Sequence, residues 1–112
     1  MDCLFCSIIS GEIPSSKVYE DDLIYVFKDI DPQAPVHLLI IPKLHIDSLD
    51  EVEEEHRELL SHILLKVKDL AKEFNLEKGY RLVANTKEEG GQSVAHLHFH
   101  LLGGRSMQWP PG

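Results

Sequence analysis

The sequence contains the stretch His96-Leu97-His98-Phe99-His100-Leu101-Leu102, in which imidazole and apolar side chains alternate. Successive side chains of a β-strand point to opposite faces, so a strand groups the histidines on one face and Leu97, Phe99 and Leu101 on the other. On a helix the same histidines would spread around the axis. The stretch therefore predicts a strand over residues 97–102 with an imidazole-rich face and an apolar face.

The other predicted elements follow from hydrophobic spacing and from turn residues. Asp2 is the predicted N-cap of a short N-terminal helix that extends to about Ser10 and is ended by Gly11. Further strands are predicted at residues 17–20, 23–29, 36–41 and 80–84. Between residues 49 and 75 the apolar side chains recur at helical spacing, which predicts one long helix with a solvated acidic start. Short turns between most strands predict an α+β fold in which the helices pack on an antiparallel five-stranded sheet.

Length, composition and charge limit the possible functions. The chain has 112 residues, 43% hydrophobic and 27% charged, which fits one domain over residues 1–112. The 19 acidic and 11 basic residues give a net charge of −8, a sign that disfavours binding to nucleic acid polymers. No apolar run approaches the roughly 20 residues of a membrane span, and the N-terminus lacks the features of a secretory signal. We therefore expect a cytoplasmic protein that binds neither nucleic acid polymers nor membranes.

The histidines and the loop before them indicate chemistry on phosphoryl groups. Imidazole is neutral and nucleophilic near pH 7, and a nucleotidylated imidazole is labile, so a histidine can divide one transfer into two steps. Upstream of the histidines lie Asn85 and the loop Gly90-Gly91-Gln92-Ser93, whose backbone N–H groups can approach phosphoryl oxygens closely. A Gly-Gly pair alone favours a plain turn. Beside three histidines, it favours a phosphate site.

Cys3 and Cys6 are separated by two residues, a spacing typical of metal ligands and of redox pairs. Two cysteines together with two distant histidines form a donor set that suits tetrahedral zinc. A thioredoxin-like redox pair is the alternative. It is less favoured because no strand precedes Cys3 and no βαβ pattern surrounds it. The pair therefore predicts a zinc site.

Four further motifs accompany the histidine stretch: Asp29-Ile30-Asp31-Pro32-Gln33-Ala34-Pro35-Val36-His37, Ile41-Pro42-Lys43-Leu44-His45-Ile46, Gly91-Gln92-Ser93-Val94 and Trp109-Pro110-Pro111-Gly112. Together with residues 96–102 they resemble the histidine triad (HIT) family of nucleotide hydrolases and transferases, over essentially the whole chain. Within it they resemble the branch of histidine triad nucleotide-binding proteins (HINT). The resemblance implies a HIT-like fold and a purine nucleoside phosphoramidase or nucleotide hydrolase that acts at the α-phosphate.

The resemblance also implies roles for individual residues. His98 would attack the α-phosphorus and become nucleotidylated, and water would then release the monophosphate. His100 would contact the phosphate, Ser93 would assist protonation of the leaving group, and His37 would orient groups or relay protons; a buried structural histidine is the alternative for His37. Asp29 would bind the ribose hydroxyls. The other implied nucleotide contacts are Phe5, Ile8, Ile13, Phe27, Ile30, Asn85, Gly91, Gln92, Ser93 and Val94. From the residues alone, Ile8 and Ile13 favour ordinary core positions.

The zinc ligands and the oligomer are implied in the same way. In similar proteins, a cysteine pair such as Cys3 and Cys6 is combined with the positions of His45 and His96. A closed site of four ligands would be structural, so His96 would hold zinc and His98 would remain the nucleophile. HINT-type proteins also form homodimers through the long helix and the strand at residues 80–84, and residues 109–112 would lie near the partner's active site.

Two other functions compete with the phosphoramidase. In a zinc-dependent hydrolase, His96 and His98 would join His37 or His45 around a catalytic metal with an open position. The cysteines argue against it because they would complete the coordination shell. A nucleotide-binding scaffold with little turnover is the second alternative, and the accumulation of nucleotidylated protein on mixing with substrate separates it from an enzyme.

Overall fold

Within residues 3–112 the protein has five strands, β1 Lys17–Glu20, β2 Ile24–Lys28, β3 Val36–Pro42, β4 Tyr80–Val83 and β5 Phe99–Gly103. They belong to a computed structural model that describes residues 3–112. Their order across the sheet is β1-β2-β3-β5-β4, and every neighbouring pair is antiparallel. Because β5 lies between β3 and β4, the histidine stretch leads into the interior of the sheet.

Two α-helices, α1 Leu4–Ser10 and α2 Arg57–Glu73, cover the two faces of the sheet. Alternate residues of β2 pack with different helices. Ile24 and Val26 share a buried cluster with α2, whereas Tyr25 and Phe27 share another with α1. This arrangement confirms the predicted α+β fold, with an antiparallel five-stranded sheet, one long helix and a short N-terminal helix. Neither α1 nor α2 is long and apolar enough to cross a bilayer, nor is any other helix within residues 3–112.

The long helix begins later than its predicted start at residue 49. Two 3₁₀ turns, Leu49–Glu51 and Glu54–His56, come first. Between them, Val52 and Glu53 have extended backbone, with ψ of 134° and 171°. Leu49 is 43% exposed, and the side chains that α2 buries start at Leu59. The acidic segment therefore has little apolar surface to stabilise a helix against the sheet, and the prediction of one continuous helix was wrong at this end.

The other elements lie within two residues of their predicted bounds. β5 starts at Phe99 because Leu97 leaves the ladder with β3 and donates its N–H to the carbonyl of Ile46 at 2.6 Å. The predicted cap Asp2 lies outside the described residues. Cys3 occupies the N-cap position of α1, where its Sγ accepts the N–H of Cys6 at 3.3 Å. As predicted, the helix ends at Gly11, which has a left-handed φ of 88°.

The predicted separation of histidines from apolar side chains is confirmed. Leu97, Phe99 and Leu101 belong to the buried cluster beneath α2. On the other side, the rings of His96 and His98 contact the ring of Phe5 in α1, with centroid distances of 5.8 and 5.1 Å. The imidazoles therefore lie on the face of the sheet that α1 partly covers.

Candidate functional site

A backbone carbonyl group two residues earlier in the chain orients the ring of His98. The side chain is buried, and its Nδ1 lies 2.7 Å from the carbonyl oxygen of His96. A carbonyl oxygen only accepts hydrogen bonds, so Nδ1 carries the proton of the neutral imidazole. The lone pair of His98 therefore lies on Nε2, the nitrogen that is suited to nucleophilic attack.

A second chain of hydrogen bonds orders His37 and His100. The backbone N–H of Gln33 donates to Nδ1 of His37 at 3.0 Å, which places the proton of His37 on Nε2. That Nε2–H donates to Nδ1 of His100 at 2.9 Å. His100 consequently carries its own proton on Nε2. One backbone donor thus determines the tautomers of two histidines, and His100 can donate Nε2–H to an anion.

Burial keeps these two imidazoles neutral. Burial, together with smaller contributions from the nearby His98 and His37, lowers the pKa of His100 from 6.5 to about 4, while Asp29 opposes the shift. Burial also lowers the pKa of His37, against the raising effect of Asp29 and Asp31. At neutral pH both rings therefore act as hydrogen-bonding groups rather than as cations.

A second group of side chains brings together Cys3, Cys6, His45 and His96. Their Sγ and ring nitrogen atoms all lie within 4.8 Å of one another. Nδ1 of His96 is 3.3 Å from Sγ of Cys3, and Nδ1 of His45 is 3.4 Å from Sγ of Cys6. Two sulfur and two nitrogen donors this close together match the donor set of structural zinc sites.

The outer contacts of these histidines leave the correct nitrogens free for a metal. Nε2–H of His45 donates to the carboxylate of Asp47 at 2.7 Å, and Nε2–H of His96 donates to the carbonyl of Pro42 at 2.8 Å. Both Nδ1 atoms therefore present lone pairs to the sulfurs. Burial lowers the pKa of His96, which keeps its Nδ1 unprotonated. Burial and the adjacent Cys3 raise the pKa of the Cys6 thiol, and a bound cation would favour its thiolate.

Asp29, His37 and His100 form another group with donor atoms within 4.8 Å of one another. The tautomers distinguish this group from the cysteine cluster. Because Gln33 occupies Nδ1 of His37, the proton of His37 lies on Nε2, between His100 and the Asp29 carboxylate at 3.4 Å. A metal there would have to displace that proton. The hydrogen bonds therefore favour the cysteine cluster as the metal centre.

The side chains predicted to line an apolar slot divide into two sets. Phe5 and Phe27 pack edge to face at 5.6 Å and belong to one buried cluster with Ile8, and Val94 packs against it. Ile8 is therefore a core residue, as the sequence alone favoured. Ile13 and Ile30 are 37% and 94% exposed. In contrast to the expectation from the residues alone, Ile13 is not in the core.

The loop between β4 and β5 is held by the side chain of Gln92. Its Nε2 donates to the carbonyls of Asp47 and Val94 at 2.8 and 2.9 Å, and its Oε1 accepts the N–H of Lys87 at 2.9 Å. Gly90 is required because a Cβ there would lie 2.3 Å from the carbonyl oxygen of Thr86. Gln92 thus stabilises the loop with its side chain, so only its backbone is available for the predicted contact with a nucleotide.

The remaining predicted residues lie around this loop. Asn85 is half-buried just after β4, and Gly91 is exposed. Ser93 is exposed and lines an open cleft of about 500 Å³ together with Cys3, Leu4, His45, Asp47, Val94 and Ala95. Ser93 therefore lies on the side of the site that faces the cysteine cluster.

The groups that orient the histidines were not predicted from the sequence. Gln33 and Pro42 act through backbone atoms, which no side-chain pattern reports. Asp47 had a readable signal, because a carboxylate two residues after a predicted ligand histidine is placed to accept its second N–H.

The chain has clear similarities to known proteins. A model of the family described as "Scavenger mRNA decapping enzyme C-term binding" matches residues 2–109. A 14 kDa zinc-binding protein of Brassica juncea is 50% identical over 113 residues, which cover 99% of this chain and 100% of that protein.

Solved structures are also similar to this chain over most of its length. The crystal structure of a HIT family hydrolase from Legionella pneumophila has a TM-score of 0.97 and 56% identity, covering 99% of this chain and 100% of that one. A histidine triad nucleotide-binding protein from Candida albicans has a TM-score of 0.83 and 39% identity, covering 97% of this chain and 83% of that one.

Proposed function

The chain belongs to the histidine triad family, and we propose that it is a hydrolase that cleaves purine nucleoside phosphoramidates through a nucleotidyl-histidine intermediate. The observation that carries this proposal is the 2.7 Å contact between His98 Nδ1 and the His96 carbonyl, which leaves the lone pair on Nε2. The similar Legionella pneumophila and Candida albicans proteins, described as a hydrolase and a nucleotide-binding protein, support the substrate class.

The reaction divides into two displacements at the α-phosphorus. In the first, Nε2 of His98 forms a bond to phosphorus while the P–N bond to the amine breaks, and the amine nitrogen takes up a proton from solvent. In the second, a water oxygen bonds to phosphorus while the Nε2–P bond breaks, and the water releases one proton to solvent. The nucleoside monophosphate is released and His98 returns to its starting state.

The groups around His98 have matching roles. His100 donates Nε2–H to a non-bridging oxygen, where negative charge is held during both displacements. His37 keeps His100 in that tautomer, and Ser93 assists protonation of the departing amine. Backbone groups at residues 91–94, with Asn85, hold the other phosphate oxygens. The purine packs against Phe5, Ile13, Phe27 and Ile30, and Asp29 binds the ribose hydroxyls. Ile8 belongs to the core and is not part of this slot.

Kinetics of His98→Ala test the proposal. With an adenosine phosphoramidate as substrate, we expect turnover to be lost while adenosine monophosphate binds within about tenfold of the wild-type affinity. His62→Ala is the matched control, because His62 is a histidine on α2 that contacts Asp21 and not the site. Turnover above a few percent of wild type in His98→Ala would contradict the assignment. A wild-type protein that binds the nucleotide without turning over would favour the scaffold.

Structural zinc in the cysteine cluster is part of the same proposal. Zinc would join Cys3 and Cys6, at the start of α1, to His45 and to His96 beside the nucleophile. When bound, it contributes stability to the fold rather than a reacting group, because all four positions are filled by protein. The zinc-binding name of the Brassica juncea relative supports this choice of metal.

A homodimer completes the proposal. β4 is an edge strand within the described residues, and Tyr80 on it is 44% exposed. Leu64 and Leu65 on α2 are also exposed. Pairing two copies through α2 and β4 would bury these side chains and protect the free strand edge. Trp109 is 82% exposed beside Arg81 of β4, which is consistent with a tail that reaches the partner's site.

A further inference from the structure

Arg105, just after β5, links two backbone segments at the border of the site. Its Nε and Nη2 both donate to the carbonyl oxygen of Gln33, at 3.1 and 3.0 Å. Its Nη1 donates to the carbonyl oxygen of Ser106 at 3.0 Å. The planar guanidinium fork makes these contacts from one side chain, so Arg105 holds Gln33 at a fixed position relative to the end of β5.

Gly104 makes a second, independent contact between the same two segments. Its φ is +92°, and a Cβ at this position would lie 2.9 Å from Cβ of Pro35. That distance is shorter than real Cβ contacts, so the absence of a side chain lets the segments touch. The loop over residues 31–35 is therefore packed on the residues that follow β5, and Arg105 lies at this junction.

We propose that Arg105 is a positioning residue that sets the tautomers of His37 and His100 through the backbone of Gln33. Arg105 holds the carbonyl of Gln33, while the N–H of the same residue donates to Nδ1 of His37 at 3.0 Å. This inference rests on the proposed function for its effect on catalysis. The effect on the tautomers follows from the hydrogen bonds alone.

The other tautomer of His37 would disable His100. With its proton on Nδ1, His37 would present a lone pair at Nε2, and His100 would have to donate Nδ1–H to it. The lone pair of His100 would then lie on Nε2, where it would repel a phosphate oxygen instead of donating to it. Contacts inside the loop, such as Asp31 N–H to the Asp29 carboxylate at 2.9 Å, do not hold the loop against the end of β5. Gly104 packs against Pro35 there, but Arg105 is the residue that binds Gln33 directly.

Two variants of Arg105 distinguish the effect of its planar guanidinium group from the effect of its positive charge. Arg105→Ala removes both, and Arg105→Lys keeps the charge but not the planar fork. We expect both variants to lower kcat for an adenosine phosphoramidate about tenfold, the effect of roughly one lost hydrogen bond, with KM within about twofold of wild type. Arg57→Ala, which removes an exposed arginine at the start of α2, is the matched control and should keep wild-type kcat.

Long-range ¹H–¹⁵N NMR of the ligand-free protein at neutral pH provides the second measurement, because it reports which ring nitrogen carries the proton. We expect His37 and His100 to be protonated on Nε2 in the wild type and in Arg57→Ala. In both Arg105 variants, His37 should also populate the Nδ1–H tautomer. If Arg105→Ala does not fold, Arg105→Lys carries the test.

The proposal is overturned by wild-type tautomers in the Arg105 variants, whatever their kcat. It is also overturned if Arg105→Lys behaves as wild type in both measurements, because charge and not the fork would then be responsible. Failure of the proposed function has a different signature. A wild-type protein without phosphoramidase activity would refute that function, and the NMR comparison would still decide whether Arg105 positions the histidines.

Discussion

His100→Gln should make the stability of the protein less sensitive to acid. Burial, with smaller contributions from His98 and His37, lowers the pKa of His100 from 6.5 to about 4 in the folded chain. Between these values the unfolded chain binds a proton at His100 that the folded chain does not. Stability therefore falls as the pH drops through this window, and it is unaffected by His100 above it. Glutamine has no proton to bind, and its side-chain carbonyl can accept Nε2–H of His37.

The size of the effect follows from the shift. Each pKa unit corresponds to about 1.4 kcal/mol, so the difference between the unfolded and folded values is worth roughly 3 kcal/mol at full protonation. Most of this is lost by pH 4.5. His37 and the other ionisable groups are present in both proteins, so the comparison with His100→Gln removes their contribution.

Urea unfolding at pH 7 and pH 4.5 measures the difference. Both proteins are compared at one protein concentration, because a dimer makes the midpoint depend on concentration. We expect the wild-type free energy of unfolding to fall by roughly 2 to 3 kcal/mol more than that of His100→Gln. Equal losses in the two proteins would refute the argument that burial keeps His100 neutral.

Three further outcomes are expected. Cys6→Ser should lower the zinc content, measured by elemental analysis, and the Tm together; a fully folded, zinc-free wild type from zinc-replete medium would contradict the metal site. Sedimentation at micromolar concentration should give a dimer, and a species of 12.7 kDa would exclude it. Deleting residues 109–112 should change the leaving-group selectivity of kcat/KM but not nucleotide affinity, and unchanged selectivity would argue against a tail that reaches the partner's site.

Much of the fold could be predicted because its strands have simple periodicities. The alternation at residues 96–102 assigned each side chain to a face, and both faces are as expected even though Leu97 leaves the ladder. The start of α2 could not be predicted in the same way. Its acidic residues have favourable helix propensity and charge, but tertiary packing decides the state, and the buried stripe starts at Leu59.

For the site, the residue types predicted the kind of chemistry but not the hydrogen bonds that orient the side chains. The histidines and cysteines predicted phosphoryl and metal chemistry, and the structure brings the four predicted metal ligands together. The tautomers depend on the N–H of Gln33 and on the carbonyls of His96 and Pro42. Every residue has such backbone groups, so only the folded chain reveals which of them contact an imidazole.

The nucleotidyl-histidine intermediate can be detected by measuring the mass of the protein quenched during turnover of an adenosine phosphoramidate. We expect a protein carrying one adenylyl group, located by peptide mapping on His98, that forms within the first turnover and disappears as substrate is exhausted. Turnover without any adenylylated protein, or with the group on another histidine, would contradict His98 as the nucleophile.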